Sequence, residues 1–470
     1  MVQSVRICME HVTLTLKTVQ PHGARTGAWA MGVFAALAVA GGGCHQSDAG
    51  APDRPTIILI TLDTTRADHL GCYGYSRPTS PNIDRLANES LVYDRAIAPG
   101  TWTLPSHASL FTGKFATSHG ARYDPEGSLR LTSAVAGPKE WGHYRARTIA
   151  EGEQTLATVL SAHGYATGAV VAGPWLKRVF GLNKGFGHYD EQNITTLNGR
   201  LAHDVTDAAL KWLADSAGSP SFLFLNYFDP HAPFRAPEDF ARQFFAEINL
   251  DVDGALTGQQ RTVAAYDAEI RYMDHHVGRL FDGLRELGLY RDAWIIVTAD
   301  HGELLGEHGE IGHANTPYQE VVHVPLIVKE PSRGSNRGRA DEWIQLIDVM
   351  PMILDRLGIA WERPNDLDHP ILIESSSLES STKNGNWQAW IDPNMKFIWN
   401  SRGAHMLFDL DADPRELNNL FDARAQEAES MQTAMKSYLA SLPEPGPEGK
   451  TGVVDQKTQD ALKSLGYTGE

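Results

Sequence analysis

The densest group of chemistry-bearing side chains runs Asp300-His301-Gly302-Glu303-Leu304-Leu305-Gly306-Glu307-His308-Gly309-Glu310-Ile311-Gly312-His313. An Asp-His pair directly after the apolar run Ala293-Trp294-Ile295-Ile296-Val297-Thr298 is hard to explain as packing, because buried charge has to be paired or bound to a metal. Asp63 follows a second such run, Thr56-Ile57-Ile58-Leu59-Ile60-Thr61-Leu62, and a hard divalent cation prefers such a carboxylate. Taken alone, Asp63 serves as well as a turn former or helix cap. Thr103 lies in Pro99-Gly100-Thr101-Trp102-Thr103-Leu104-Pro105-Ser106-His107, ahead of an apolar helical pattern. A hydroxyl there reads as a nucleophile at a helix N-terminus, where unpaired N–H groups favour anions, or as an N-cap with proline in the first turn. The local residues leave both readings open. The Asp300-His301 cluster tips the balance toward a site.

These groups need elements to position them, and the sequence supplies candidates. Further apolar runs occur at Gly168-Ala169-Val170-Val171-Ala172, Ser221-Phe222-Leu223-Phe224-Leu225-Asn226-Tyr227 and Val324-Pro325-Leu326-Ile327-Val328. Helical patterns lie between them at Thr155 to His163, His203 to Ala214 and Tyr266 to Leu287. Strands alternating with helices predict an α/β fold with a mostly parallel sheet sandwiched by helices. Ligands of such sheets gather beyond the carboxyl ends of the strands, where Asp63 and Asp300 fall. The catalytic domain is expected over 55–360. From Trp361 to Asn386 the chain reads as connection, followed by short strands at Trp387–Ile391, Met395–Trp399 and His405–Leu410. With a helix from about Ala423 to Ala440, they predict a smaller C-terminal α+β subdomain over 361–440 with antiparallel pairing. Pro443, Pro445 and Pro447 then open a tail over 441–470.

A formal net charge of -17 argues against a nucleic-acid partner, since phosphate backbones demand a positive footprint. Three cysteines are too few for a disulfide framework, and Cys72 reads as a small packed side chain. Arg25, the apolar run Ala28–Ala40, Gly41-Gly42-Gly43 and Cys44 predict a signal peptide over 1–44 of lipoprotein type, with a linker over 45–54. The run is too short to span a bilayer comfortably. Export to the periplasm or cell envelope follows, with a lipid anchor at Cys44 as the membrane contact. A plain secretory signal with an incidental Cys44 is the alternative.

Further motifs occur in order at Gly71-Cys72-Tyr73-Gly74-Tyr75, Thr79-Ser80-Pro81-Asn82-Ile83-Asp84-Arg85-Leu86-Ala87, Gly181-Leu182-Asn183-Lys184-Gly185-Phe186-Gly187-His188-Tyr189-Asp190, Tyr266-Asp267-Ala268-Glu269-Ile270, and Phe408-Asp409-Leu410 through Asp413-Pro414-Arg415-Glu416-Leu417-Asn418-Asn419-Leu420. Together they resemble the motifs of the sulfatase family, in the alkaline-phosphatase superfamily. The resemblance implies an alkaline-phosphatase-like mixed sheet and hydrolysis of an anionic sulfuric or phosphoric ester. It implies one divalent metal ion, Ca, Mn or Zn, on Asp63, Asp300 and His301, with Thr103 bridging metal and substrate. His231, in Asp229-Pro230-His231-Ala232-Pro233-Phe234, would contact the substrate's anionic oxygens. His313 stands where sulfatases commonly carry a Lys, as oxygen ligand or leaving-group acid, and His119 matches a further active-site position.

The departures concern the nucleophile. Sulfatases convert a Cys or Ser in Cys/Ser-x-Pro-x-Arg to formylglycine, whereas this chain has Thr103-Leu104-Pro105-Ser106-His107, with His107 in the place of the supporting Arg. Oxidation of a threonine would give a ketone, so the hydrated aldehyde that expels sulfate is not expected. A metal-activated threonine alkoxide remains open, as in superfamily relatives that act on phosphate diesters. That chemistry favours a phosphate or phosphonate ester over a sulfate ester. Sulfuric ester hydrolysis without formylglycine, or a catalytically inactive envelope-anchored binding protein, are the alternatives.

Overall fold

The computed structural model describes the backbone of Arg6–Met9 and Val12–Thr15, and residues 54–127, 129–131, 144–196, 198–251, 256–331, 336–361, 369–375 and 385–449. Apart from those two strands, the expected signal with Cys44, nearly all of the linker and residues 450–470 lie outside the described residues. The two N-terminal strands pair antiparallel within a unit, Met1–Ala51, separate from Pro52–Glu470. No helix among the described residues is long and apolar enough to cross a membrane.

The larger unit is organised by an eight-stranded sheet. Its strands are β1 (Ile57–Leu62), β2 (Leu91–Ile97), β3 (Ala166–Val170), β4 (His188–Asp190), β5 (Ser221–Tyr227), β6 (Trp294–Thr298), β7 (Leu326–Lys329) and β8 (Gly338–Gln345). They lie in the order β8-β2-β7-β6-β1-β5-β3-β4, and only β7 runs against the rest. Every residue of β1, β5 and β6 is buried, which is why these runs show no polar alternation. Burial of each large aliphatic side chain among them contributes about 1.5–3 kcal/mol. Helix Ala202–Asp215 packs on β3 and β5. Its Trp212 lies so close to Gly168 that a Cβ there would stand 2.5 Å from the indole.

The sheet is therefore mostly parallel and covered by helices, as the alternation of runs predicts. Several boundaries differ. The helix expected from Tyr266 begins at Gly258, because Thr257 and Gln260 form a capping box on a stretch too polar to show an apolar period. The stretch expected as connection, Trp361 to Asn386, contains a strand, β9 (Ile371–Ser375), whose five residues are all buried. It pairs antiparallel with β10 (Trp387–Asp392), followed by β11 (Met395–Asn400) and β12 (Met406–Asp409). Helix Ala425–Ser441 packs on β10 and β11, enclosing Leu372, Trp390, Phe397, Met431 and Met435. Residues 442–449 do not trail away: Pro447 accepts from Glu151 N–H at 2.9 Å, and Gly449 N–H donates to Ile149 at 3.2 Å.

Candidate active site

Asp63, Asp300 and His301 converge, each offering a ligand atom within 4.8 Å of the others. All three side chains are fully buried. Asp63 Oδ1, Asp300 Oδ2 and His301 Nε2 have no hydrogen-bond partner. Buried polar atoms are almost always satisfied, so three lone pairs left open at one point fit a cation. The donor set, two carboxylates and one imidazole, suits a divalent ion between the hard and borderline classes. His301 Nδ1 donates to the Gly302 carbonyl at 3.0 Å, which fixes the tautomer and frees Nε2 toward the carboxylates. Burial first, and then Asp300, drives the Asp63 carboxyl well above its usual range. Burial likewise raises Asp300, and burial followed by the neighbouring His313 lowers His301. Each shift disfavours the charged form, chiefly because burial removes water from the group.

Strand register delivers these groups to one edge of the sheet. Thr61 lies opposite both Thr298 and Asn226, so the residues following β1, β6 and β5 emerge side by side. Asn226 donates from Nδ2 to Asp63 Oδ2 at 3.2 Å and to Thr61 Oγ1 at 3.2 Å. Its Oδ1 accepts from Ala172 N–H at 3.3 Å and Gly173 N–H at 2.9 Å. Asp300 Oδ1 accepts from Thr64 N–H at 3.3 Å. Thr64 is held at φ 53, a costly conformation for a β-branched residue, by Tyr266, whose hydroxyl donates to the Thr64 carbonyl at 2.7 Å. Gly302 has no alternative, since a Cβ would stand 2.1 Å from the Glu320 carbonyl.

Thr103 is the first residue of helix Thr103–Thr112, after an extended Trp102, and is 1% exposed. His107, one turn on, donates from Nδ1 to the Thr103 carbonyl at 2.8 Å. That nitrogen also lies 3.4 Å from Asp300 Oδ2, and Nε2 takes the Thr61 hydroxyl at 2.9 Å. The ring thus packs the Thr103 turn beside the acidic cluster, its pKa pushed down to about 4 by burial. It cannot replace the charge of an arginine.

His313 and His231 complete the group. The His313 ring centroid lies 4.5 Å from that of His301 and 5.0 Å from that of His231. His313 Nδ1 sits 3.2 Å from both carboxylate oxygens of the buried Glu303. Burial alone would lower its pKa, but Glu303 and then Asp300 raise it above the ordinary value. His231 is half-buried and stacked on Phe228 at 4.3 Å. Burial and the adjacent His313 bring its pKa down to about 3. Its Nδ1 donates to the Ala232 carbonyl at 2.7 Å, leaving a lone pair on Nε2.

His119 is not drawn into this group by its hydrogen bonds. Its Nε2 pairs with Ser109 Oγ at 3.0 Å and its Nδ1 accepts from Ala121 N–H at 3.1 Å. The residues that sequence reasoning missed are Asn226 and Thr64, with Glu303 as the partner of His313. Asn226 carried one legible signal: it is an amide inside a run otherwise buried as strand core. An open cavity of about 410 Å³, lined by Arg54, Trp294 and Arg356, lies at the opposite ends of β1 and β6.

A sulfatase family model matches residues 55–359. The chain is 24% identical to an arylsulfatase of Clostridium perfringens, over 79% of this chain and 91% of that protein. It is 25% identical to a multifunctional alkaline phosphatase superfamily protein of Trinickia caryophylli, over 78% and 91%. Among solved structures, the phosphonate monoester hydrolase of Agrobacterium radiobacter shares the fold at TM-score 0.61 and 19% identity, over 82% of this chain and 95% of that one. A structure in complex with its substrate D-glucosamine-2-N,6-O-disulfate superposes at TM-score 0.65 and 18% identity, over 82% and 98%.

Proposed function

The chain belongs to the sulfatase family of ester hydrolases, and on that premise we propose that Thr103 is its nucleophile, working beside one divalent ion on phosphate diesters or phosphonate monoesters. The observation that carries this reading is the convergence of Asp63 Oδ1, Asp300 Oδ2 and His301 Nε2, unpaired and buried, with His107, whose Nδ1 bonds the Thr103 carbonyl, lying 3.4 Å from Asp300 Oδ2. When bound, the ion lowers the pKa of a hydroxyl and offsets charge on a substrate oxygen.

The remaining chemistry belongs to the chain. Thr103, its hydroxyl proton already lost to solvent, forms an Oγ1–P bond as the P–O bond to the leaving oxygen breaks, and the first N–H groups of its helix face the developing oxyanion. Two adjacent imidazoles are pushed in opposite directions, His313 toward the protonated form and His231 toward the neutral one. Such a divergence marks an acid and a base. His313 gives a proton to the leaving oxygen. His231 Nε2 then takes one from the water that cleaves the phospho-threonine. A sulfo-threonine has no comparable exit without the aldehyde.

Charge supports a monoanionic substrate. Among the described residues, no Arg or Lys pairs with Asp63, Asp300, His301, His313 or His231, and nearby Arg66 is committed to Asp68 and Glu307. Two carboxylates with a dication, and imidazolium with Glu303, make the site formally neutral, which leaves a phosphate monoester dianion poorly compensated. Parallel kinetics on aryl sulfate, phosphate monoester, phosphate diester and phosphonate monoester test the reading. The two phosphorus monoanions should give the highest kcat/KM, and a higher value for aryl sulfate overturns the preference. Sulfate esters are the second reading, favoured by the motif order and by the sulfated sugar bound in one structural neighbour. The pattern from Ala28 to Cys44 supports export with a lipid anchor, which labelling with a radioactive fatty acid tests, since Cys44→Ala should abolish incorporation.

A further inference from the structure

The end of β9 enters the catalytic end of the main sheet. Glu374 N–H donates to the Pro99 carbonyl at 2.9 Å, and Glu374 bridges Gly100 in parallel register. The next residue, Ser375, is 1% exposed. Its Oγ lies 2.6 Å from Thr101 Oγ1 and 3.1 Å from the Asn315 carbonyl. A serine hydroxyl has one proton, and a carbonyl can only accept. The direction is therefore fixed: Thr101 donates to Ser375, and Ser375 donates to Asn315. Thr101 lies two residues before Thr103, and Asn315 two residues after His313. One hydroxyl from the C-terminal sheet thus bridges the segments that carry the nucleophile and the acid.

Neighbouring contacts make that bridge stiff. Ala314 N–H donates to the Thr101 carbonyl at 2.8 Å, directly joining the same two segments. Ala314 holds φ 62, a conformation with a steric cost for a residue carrying Cβ, so it persists only under restraint. Asn315 is gripped from the other side, accepting from Trp387 Nε1 at 3.1 Å and donating to Glu310 at 3.1 Å.

The geometry points to Ser375 as a positioning residue that sets the distance between Thr103 and His313. This rests on the roles given to those two residues above. Ser375 itself touches no reacting atom; it acts through Thr101 and Asn315. Misplacement of a reacting group by about 1 Å can cost about 100-fold in rate, whereas ground-state binding of the ester need not change.

The test uses the full chain with its metal and compares Ser375→Ala, Ser375→Thr and Thr101→Val, with Thr206→Ala as a control for loss of a buried hydroxyl elsewhere. Thr206 bonds Tyr227 and the His276 carbonyl. Expected is a 10- to 100-fold fall in kcat for Ser375→Ala with KM changed less than threefold, recovery in Ser375→Thr, and no such fall in the control. Thr101→Val combined with Ser375→Ala should cost little more than either alone. A kcat within twofold of wild type, or fully additive losses, overturns the proposal. A second arm needs no turnover: amide hydrogen exchange at Ala314 should quicken at least tenfold in Ser375→Ala and not in Thr206→Ala, and an unchanged rate overturns it as well. If wild type turns over none of the four esters, the proposed function fails, and the exchange arm still decides this bridge.

Discussion

Replacement of Asn226 by alanine gives the sharpest test of how the proposed metal ligands are held. Asn226 Nδ2 is the donor that orients Asp63, at 3.2 Å from Oδ2. A hydrogen bond to a charged group contributes about 1.5–3 kcal/mol, and at that length the lower part of the range applies. Loss of a group that orients a metal ligand typically costs about 10- to 100-fold in affinity, equivalent to about 1.4–2.7 kcal/mol. The two magnitudes agree. Asn226→Ala also strands the Ala172 and Gly173 amides, which bond only its Oδ1 on the side chain, so stability falls too. The measurements are therefore separated: Mn²⁺ affinity by calorimetric titration of chelator-stripped protein at a temperature where both proteins are folded, and Tm in parallel. Affinity should weaken at least tenfold. A Tm loss with Mn²⁺ affinity within twofold of wild type would refute the reasoning, reducing Asn226 to a strand contact.

Thr103→Ala should lower kcat at least 1000-fold with Tm nearly unchanged, while Thr103→Ser keeps measurable turnover; steady-state kinetics and thermal unfolding check both. Chelation should abolish activity and lower Tm, with both restored by a divalent ion, because the cluster otherwise buries two carboxylates without a counter-charge. Asp229 is raised by burial to about 7, with the Ala202 amide donating to Oδ1 while Oδ2 has no partner. The native state keeps a proton that the unfolded chain releases near 3.8, so this stability is full below that pH and is lost as pH rises through about 7. Asp229→Asn should therefore flatten the decline of Tm across that window, and an unaltered slope would count against it.

Much of the site was legible because its residues announce themselves by type and place. Asp63 and Asp300 follow runs whose unbroken apolar character marks strands buried on both faces, and the parallel-sheet rule puts such residues at the functional edge. His301 and His313 were legible through their crowding with acids. Local sequence could not say that Thr103 opens a buried helix whose His107 reaches Asp300, since a capping threonine and a nucleophilic one read alike. Nor could it separate His119, which bonds Ser109 and Ala121, from His313, which faces His301.

Sequence alone determined the family motifs, the mostly parallel sheet and the chemical types at the strand ends, because those depend on local periodicity and residue identity. Tertiary structure decided what each type does. Register set Asn226 beside Thr61 and so beneath Asp63, while Glu303 raised the pKa of His313, and burial together with His313 lowered that of His231. The short strand Ile371–Ser375, unremarkable in the chain, became the tie between the segments that carry Thr103 and His313. Those roles arise from contacts between residues far apart in sequence, where burial and direction of hydrogen bonding, not identity, fix charge and position.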